Sequence, residues 1–329
     1  MATVLVAVAC AVTLGAQPAY AYTQDDLAVD TTVPQVGYTE LAAITKAWTA
    51  GETRTLKAGL AAASSTTGNM MVAARISCGD DWGVNTTQNS TGQPEITKLV
   101  VNWLWTAPAD GEYTCRLFGR SKKGAGGATD ADYLTALAGG QTYLWLSGSV
   151  YPGSAIWSTA EDCVLYPATC QAGDEGVFVG AGLPAGSAEY VLHSNSWTAA
   201  SSTTSVRLVL DAELTACYYY TDSCPQSTWG PLSLKGQGSA GHYYPVVTVS
   251  NVVTGEVCQV VTGSPTAYAI SWDQHHKKVH SLTYLPITAG SDCRRFSAKL
   301  YLAVDPALNP LRVEPSNYSV GYFVNYASS

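Results

Sequence analysis

A six-residue string, Ala-Ala-Ser-Ser-Thr-Thr, occurs at Ala62–Thr67 and again at Ala199–Thr204. A cysteine follows each copy, Cys78 and Cys217, and Ala50-Gly51 and Ala185-Gly186 precede them. Further on, Trp105-Thr-Ala-Pro-Ala-Asp-Gly-Glu-Tyr-Thr-Cys115-Arg-Leu-Phe118 resembles Leu285-Pro-Ile-Thr-Ala-Gly-Ser-Asp-Cys293-Arg-Arg-Phe296. Two diverged copies of one unit constrain the architecture, because each copy is expected to fold around its own core. The expected division is a leader over 1–21, a first domain over 22–182 and a second over 183–329. The boundary falls where Gly180-Ala-Gly-Leu-Pro-Ala-Gly186 breaks any regular pattern.

The leader is read from an uncharged start. An apolar run from Val4 to Leu14 is followed by Ala19-Tyr20-Ala21, a small-x-small pattern, which predicts a signal peptide cut before Tyr22. A membrane anchor would need a longer apolar span, so the mature chain is expected to be secreted and to lack a membrane span. Cleavage removes Cys10 and leaves eight of the nine cysteines. In an exported chain an even set favours disulfides over zinc or redox chemistry, and no Cys-x-x-Cys pair is present. The expected pairing is Cys78–Cys115, Cys163–Cys170, Cys217–Cys224 and Cys258–Cys293. A net charge of −8 with few lysines repels a phosphate backbone and argues against nucleic acid.

Period-two alternation dominates locally. Val206, Leu208, Leu210, Ala212 and Leu214 alternate with Arg207, Asp211, Glu213 and Thr215. Phe296 to Val304 repeats the pattern, and Leu99, Val101, Trp103 and Trp105 share one face. Such strands bury one face and wet the other, as antiparallel sandwiches do. Further strands are expected at Asn69–Cys78, Thr142–Tyr151, Tyr244–Val253, Tyr268–Asp273 and Val320–Tyr326. Glu40–Trp48 reads as a short helix. Gly236–Gly241 reads as a surface loop, and Tyr22–Gly37 as a polar arm or a disordered segment. The fold class is all-β: two tandem, internally duplicated antiparallel β-sandwich domains held by disulfides.

The candidate contact site is Tyr218-Tyr219-Tyr220 inside the small Cys217–Cys224 loop, with Trp229 close by and Tyr166 as an echo in the first copy. Three bulky residues in so tight a loop cannot all point inward, so a rigidly held phenol is expected at the surface. His275, His276 and His280 are candidate metal ligands. On a helical turn His276 and His280 would share a face with Asp273 nearby; on an extended strand they would stand about 13 Å apart and could not chelate. Trp103 and Trp105 read as core stripe rather than binding platform. Asp80-Asp81 and Asp130 with Asp132 lack a full calcium-loop spacing. There is no nucleophile elbow, zinc-protease helix or phosphate loop. No cofactor is implied, and no catalytic residue is assigned.

Cys78 to Arg120, with Thr86-Thr-Gln-Asn89, the run Cys217-Tyr-Tyr-Tyr-Thr-Asp-Ser-Cys-Pro225 and His275-His-Lys-Lys-Val-His280 together resemble a group of secreted proteins of actinobacteria for which no activity is established. The resemblance implies bacterial export and transfers no functional residue. In a eukaryotic source Asn85, Asn89 and Asn317 would be glycan acceptors on surface loops. The expectation is a secreted, non-enzymatic binding or adhesion protein whose partner is an extracellular glycan, cell-wall polymer or protein. The rivals are a self-associating subunit of an extracellular assembly and a metal-assisted hydrolase built on the three histidines.

Overall fold

Alternation becomes strand along the chain. The structure, a computed structural model, describes residues 22–90, 96–123, 128–158, 177–179, 189–215, 239–270, 276–304, 311–314 and 319–327. Among the described residues there are twenty-one strands and no helix. In chain order they begin β1 (Tyr22–Asp26), β2 (Thr31–Val33), β3 (Thr39–Trp48), β4 (Thr53–Ser64) and β5 (Met70–Cys78). Next come β6 (Asp81–Ser90), β7 (Ile96–Thr106), β8 (Gly111–Lys123), β9 (Leu134–Ala136) and β10 (Tyr143–Ser147). The second series opens with β11 (Ala155–Ser158), β12 (Val177–Val179), β13 (Glu189–Thr198), β14 (Thr203–Thr215) and β15 (Ser239–Asn251). It ends with β16 (Val257–Thr262), β17 (Thr266–Ile270), β18 (His276–Pro286), β19 (Cys293–Val304), β20 (Leu311–Glu314) and β21 (Val320–Ala327).

The pairing is duplicated. One six-stranded sheet runs β1-β10-β4-β9-β2 with β7 also on β4, and another runs β11-β21-β14-β20-β12 with β18 on β14. Each faces a smaller sheet: β3-β8-β5-β6 in the first half, β13-β19-β15-β16 with β17 added to β15 in the second. Strands β11 and β12 precede Leu183 in sequence yet pair with β21 and β20 of the second series. The hexapeptides do not mark equivalent places. The first closes β4 and runs into the turn after it, whereas the second spans the turn before β14 and that strand's first two residues. The longer match does coincide, since both its copies lie at the turns joining β7 to β8 and β18 to β19.

Two cores fill the sandwiches. Leu56, Leu60, Met70, Ile76, Leu117 and Leu144 lie in the first, and Leu208, Leu210, Leu214, Phe296, Leu300 and Leu302 in the second. Trp103 and Trp105 are buried in the first core, and a Cβ on Gly83 would come within 2.5 Å of the Trp103 ring. A third cluster of Leu104, Tyr151, Val209, Tyr322 and Val324 joins the two six-stranded sheets back to back. At roughly 1.5–3 kcal/mol per buried large side chain, this cluster contributes to holding the halves together.

Four expectations change. Glu40–Trp48 is strand: Ala42, Ile44 and Trp48 point inward, and the segment pairs with β8 along its length. Edge pairing and a half-buried face outweigh its alanine-rich helix propensity. Tyr22–Asp26 and Thr31–Val33 are strands of the first six-stranded sheet, not an arm. Ser239–Gly241 opens β15, where Gly241 packs so closely on the Ala303 carbonyl that a Cβ would collide with it. Asn85 and Asn89 are buried in β6 rather than displayed on a loop.

Disulfides join Cys78 to Cys115 and Cys258 to Cys293. The pairs Cys163–Cys170 and Cys217–Cys224, like the leader, lie outside the described residues. No helix among the described residues is long and apolar enough to cross a membrane. Cys78–Cys115 closes a loop of 37 residues between neighbouring strands β5 and β8. Replacing both cysteines by alanine should lower the unfolding free energy by about 4 kcal/mol. Guanidinium unfolding measures this, and a loss below about 1 kcal/mol would contradict it.

Candidate functional site

Tyr218, Tyr219, Tyr220, Trp229, Tyr166 and His275 lie outside the described residues. His276 and His280 both sit on β18, an extended strand, and each meets a different carboxylate. Among the described residues no three metal-ligating side chains come together. The candidate calcium aspartates have local partners. Asp81 accepts a 2.7 Å bond from the Trp105 indole, Asp130 pairs with Lys123 at 2.6 Å, and Asp132 accepts from the Thr129 hydroxyl at 2.9 Å.

The alternation of β14 has an outcome its pattern does not announce. Val206, Leu208 and Leu210 fill the second sandwich, and Arg207, Asp211 and Glu213 take the other face. That face turns toward the first half, and Asp211 and Glu213 are fully buried. The Lys278 charge and hydrogen-bonding partners on β18 and β6 make this tolerable. The register sets Asp211 against His280. His280 Nδ1 hydrogen-bonds Asp211 Oδ1, and Lys278 Nζ stands 3.6 Å from Asp211 Oδ2. Glu213 accepts the Thr87 backbone N–H at 2.9 and 3.1 Å through its two oxygens, and lies 3.7 Å from His276 Nδ1. Asn89 Oδ1 accepts the His276 N–H at 3.0 Å. The Thr87 amide of β6 is therefore satisfied from the second half, and Asn89 of β6 in turn caps an amide of β18.

Behind this row the β14 ladder changes partner. Strand β21 pairs as far as Leu210, and β20 takes over at Glu213. His193 fills the gap, its Nε2 lying 2.7 Å from the Asp211 carbonyl, while Ser319 Oγ accepts the Glu213 N–H at 2.9 Å. Burial pushes the His193 imidazole down to about 4, so it donates as the neutral ring. Burial works to raise the Asp211 carboxyl. The Lys278 charge and the His280 bond outweigh it and hold the group below the usual carboxylate range.

The second arrangement lies on the outer face of the β3-β8-β5-β6 sheet. Cys115 and Leu117 point inward, so Arg116, Phe118 and Arg120 point out. Trp82 of β6 lies 5.3 Å from Phe118, and Tyr38, just before β3, lies 6.1 Å from Trp82 and 6.4 Å from Phe118. The Arg75 guanidinium sits 4.3 Å over the Trp82 ring, and that of Arg120 lies 5.8 Å from the Tyr38 ring. Trp82 remains 52% exposed, so much of its indole meets solvent beside the Arg75 guanidinium on a paired strand. The outer sheet of the second half carries a weaker echo. His242, Tyr244 and Tyr301 stack at 6.2 and 5.4 Å, with the Tyr244 hydroxyl donating to Glu189.

Sequence reasoning did not single out Tyr38, Trp82, Phe118 or Arg75. The one usable signal was Arg116-Leu-Phe118-Gly-Arg120, where an aromatic shares the polar face with two arginines. Asp211 and Lys278 carried none, because the neighbouring strand that pairs them is distant in sequence.

No protein-family model matches the chain, and no curated protein does. Among solved structures, PNGF-II is similar with a TM-score of 0.34 and 6% identity, covering 93% of this chain and 66% of that one. The structure of Penaeus vannamei nodavirus gives 0.22 and 12%, covering 99% and 96%. Broad bean stain virus gives 0.26 and 8%, covering 94% and 90%. At these scores the likenesses carry no functional argument.

The buried imidazole has a consequence for stability. Between pH 6.5 and 4 the unfolded chain takes up a proton at His193 that the folded chain refuses. Stability should therefore fall as pH drops through that window, by an amount on the order of 3 kcal/mol. His193→Gln should flatten this limb; chemical unfolding at several pH values reads it, and an unchanged slope would contradict the assignment.

Proposed function

We propose that the protein is a secreted binding protein that holds a saccharide on the outer face of its first sandwich. The supporting observation is the array of Tyr38, Trp82 and Phe118 flanked by Arg75 and Arg120. The apolar C–H face of a pyranose stacks on an electron-rich aromatic face, and guanidinium groups at its rim donate to hydroxyls or acid groups. Because Trp82 and Phe118 stand on paired strands and Tyr38 directly precedes β3, little conformational entropy is lost on binding. Disulfides and the leader pattern support work outside the cell. On this reading the protein does no chemistry on its ligand, and the stacked His242, Tyr244 and Tyr301 offer a second, weaker contact.

A second reading, a subunit of an extracellular assembly, draws on one feature. Strand β16 has no partner beyond β15 among the described residues, and Val257 and Val260 on it are more than half exposed. An apolar edge of this kind invites pairing with another chain.

Trp82→Ala should weaken binding to the best polysaccharide on a glycan array by about tenfold, with the thermal midpoint unchanged. Equal binding by wild type and variant would remove the outer face as the site. If β16 drives assembly, Val260→Lys should turn a concentration-dependent sedimentation coefficient into that of a monomer. A wild-type monomer at every concentration would rule out that second reading.

A further inference from the structure

Where the two six-stranded sheets meet, the seam opens into two adjoining cavities. One, about 420 Å³, is lined by Thr86 and Gln88 of β6, Lys98 and Asn102 of β7, Lys57 of β4, and by Asp211, Lys278 and His280. The other, about 440 Å³, shares Lys57 and Asn102 and adds Arg207 with Tyr22, Tyr143, Trp145 and Tyr322. The seam is thus basic at one end and aromatic at the other.

We propose that this cleft is a second site, for an acidic oligosaccharide. Charge is the first argument. Lys57, Lys98, Lys278 and Arg207 line it against Asp211 as the one carboxylate, an excess of three positive charges in a chain of net −8. Lys57 and Lys98 are exposed and form no ion pair among the described residues. Asp211 is engaged by His280 and Lys278, so it does not neutralise the two free lysines. Such a basic cleft in an acidic protein concentrates anions.

Unmet polar demand is the second argument. Thr86 Oγ1 and Arg207 Nε are buried without a hydrogen bond among the described residues, and Lys278 Nζ has the 3.6 Å ion pair to Asp211 Oδ2 but no hydrogen bond. Buried polar atoms are nearly always bonded, and these three border the two cavities. The His280 ring, held at Nδ1 by Asp211, has Nε2 as its other nitrogen and lines the same space with nearly half its side chain exposed.

The aromatic end identifies the rest of the ligand. Tyr22 and Trp145 lie 5.6 Å apart, and Tyr22 is exposed. Rings at one end and ammonium groups at the other suit a sugar ring carrying an acid group, with Lys57 and Asn102 contacting both parts. Carboxylate and sulfate esters share this chemistry. The site uses no residue of the outer aromatic array and does not depend on it.

Calorimetric titration of the mature chain with trigalacturonate, a heparin-derived tetrasaccharide and maltotriose tests the proposal. At least one acidic chain should bind, with maltotriose about tenfold weaker or more. Lys57→Gln and Lys98→Gln should each weaken the acidic ligand by about three- to tenfold, with unchanged thermal midpoints. The carboxylated and sulfated arms tell which acid group is taken. Trp82→Ala should leave this affinity intact, which separates the cleft from the outer face. No binding of either acidic chain at millimolar concentration would overturn the proposal. So would equal affinity for maltotriose, indifference to both lysine variants, or loss of binding in Trp82→Ala.

Discussion

The seam between the two six-stranded sheets governs the rest of the molecule. Leu104 on one side and Val209, Tyr322 and Val324 on the other remove from water the sheet faces that would otherwise be the wet faces of two separate sandwiches. That contact also takes Asp211 and Glu213 out of water. Burying a carboxylate is tolerable only when its oxygens are bonded and its charge is met. The ions do find partners: His280 and Lys278 for Asp211, the Thr87 amide and His276 for Glu213. Glu213 does double duty, because it also satisfies an amide on β6, a strand that would otherwise end its sheet with open donors.

The two proposed binding regions follow from that geometry. Pairing the large sheets back to back leaves the small sheets as the outer walls, where Trp82 and its neighbours face solvent. It leaves the cleft along the seam, where residues from β4, β6, β7, β14 and β18 converge though they are far apart in sequence. One surface is flat and aromatic, and the other is recessed and basic. The two disulfides among the described residues lie in the outer sheets: Cys78–Cys115 joins neighbours β5 and β8, and Cys258–Cys293 joins β16 to β19 across the end of β15.

Much of the fold was legible because strand periodicity is a local property. The alternation in Val206–Leu214 and Phe296–Val304 marks β14 and β19, and the runs expected at Asn69–Cys78 and Val320–Tyr326 match β5 and β21 almost residue for residue. The helix expected at Glu40–Trp48 shows the limit, since its propensity is local but the β8 strand that makes it extended is not. The polar face of β14 shows a deeper one. Alternation tells that two faces differ; it does not tell that the polar one is wet. Arg207, Asp211 and Glu213 read as solvent-facing, and two of them are fully buried. The candidate site was illegible for the same reason, because Trp82 of β6, Phe118 of β8 and Tyr38 ahead of β3 meet across the sheet and leave no spacing in the sequence.

Both binding regions depend on the seam, and amide hydrogen exchange at Thr87 and His276 tests it directly. Both amides belong to edge positions, and Glu213 and Asn89 bond them across the junction. They should exchange as slowly as the core strands β4 and β14, and Glu213→Ala should speed Thr87 selectively. Exchange of both in the wild type at the rate of an open edge strand would mean that the sandwiches do not share this contact, and the cleft along it would fall with the seam.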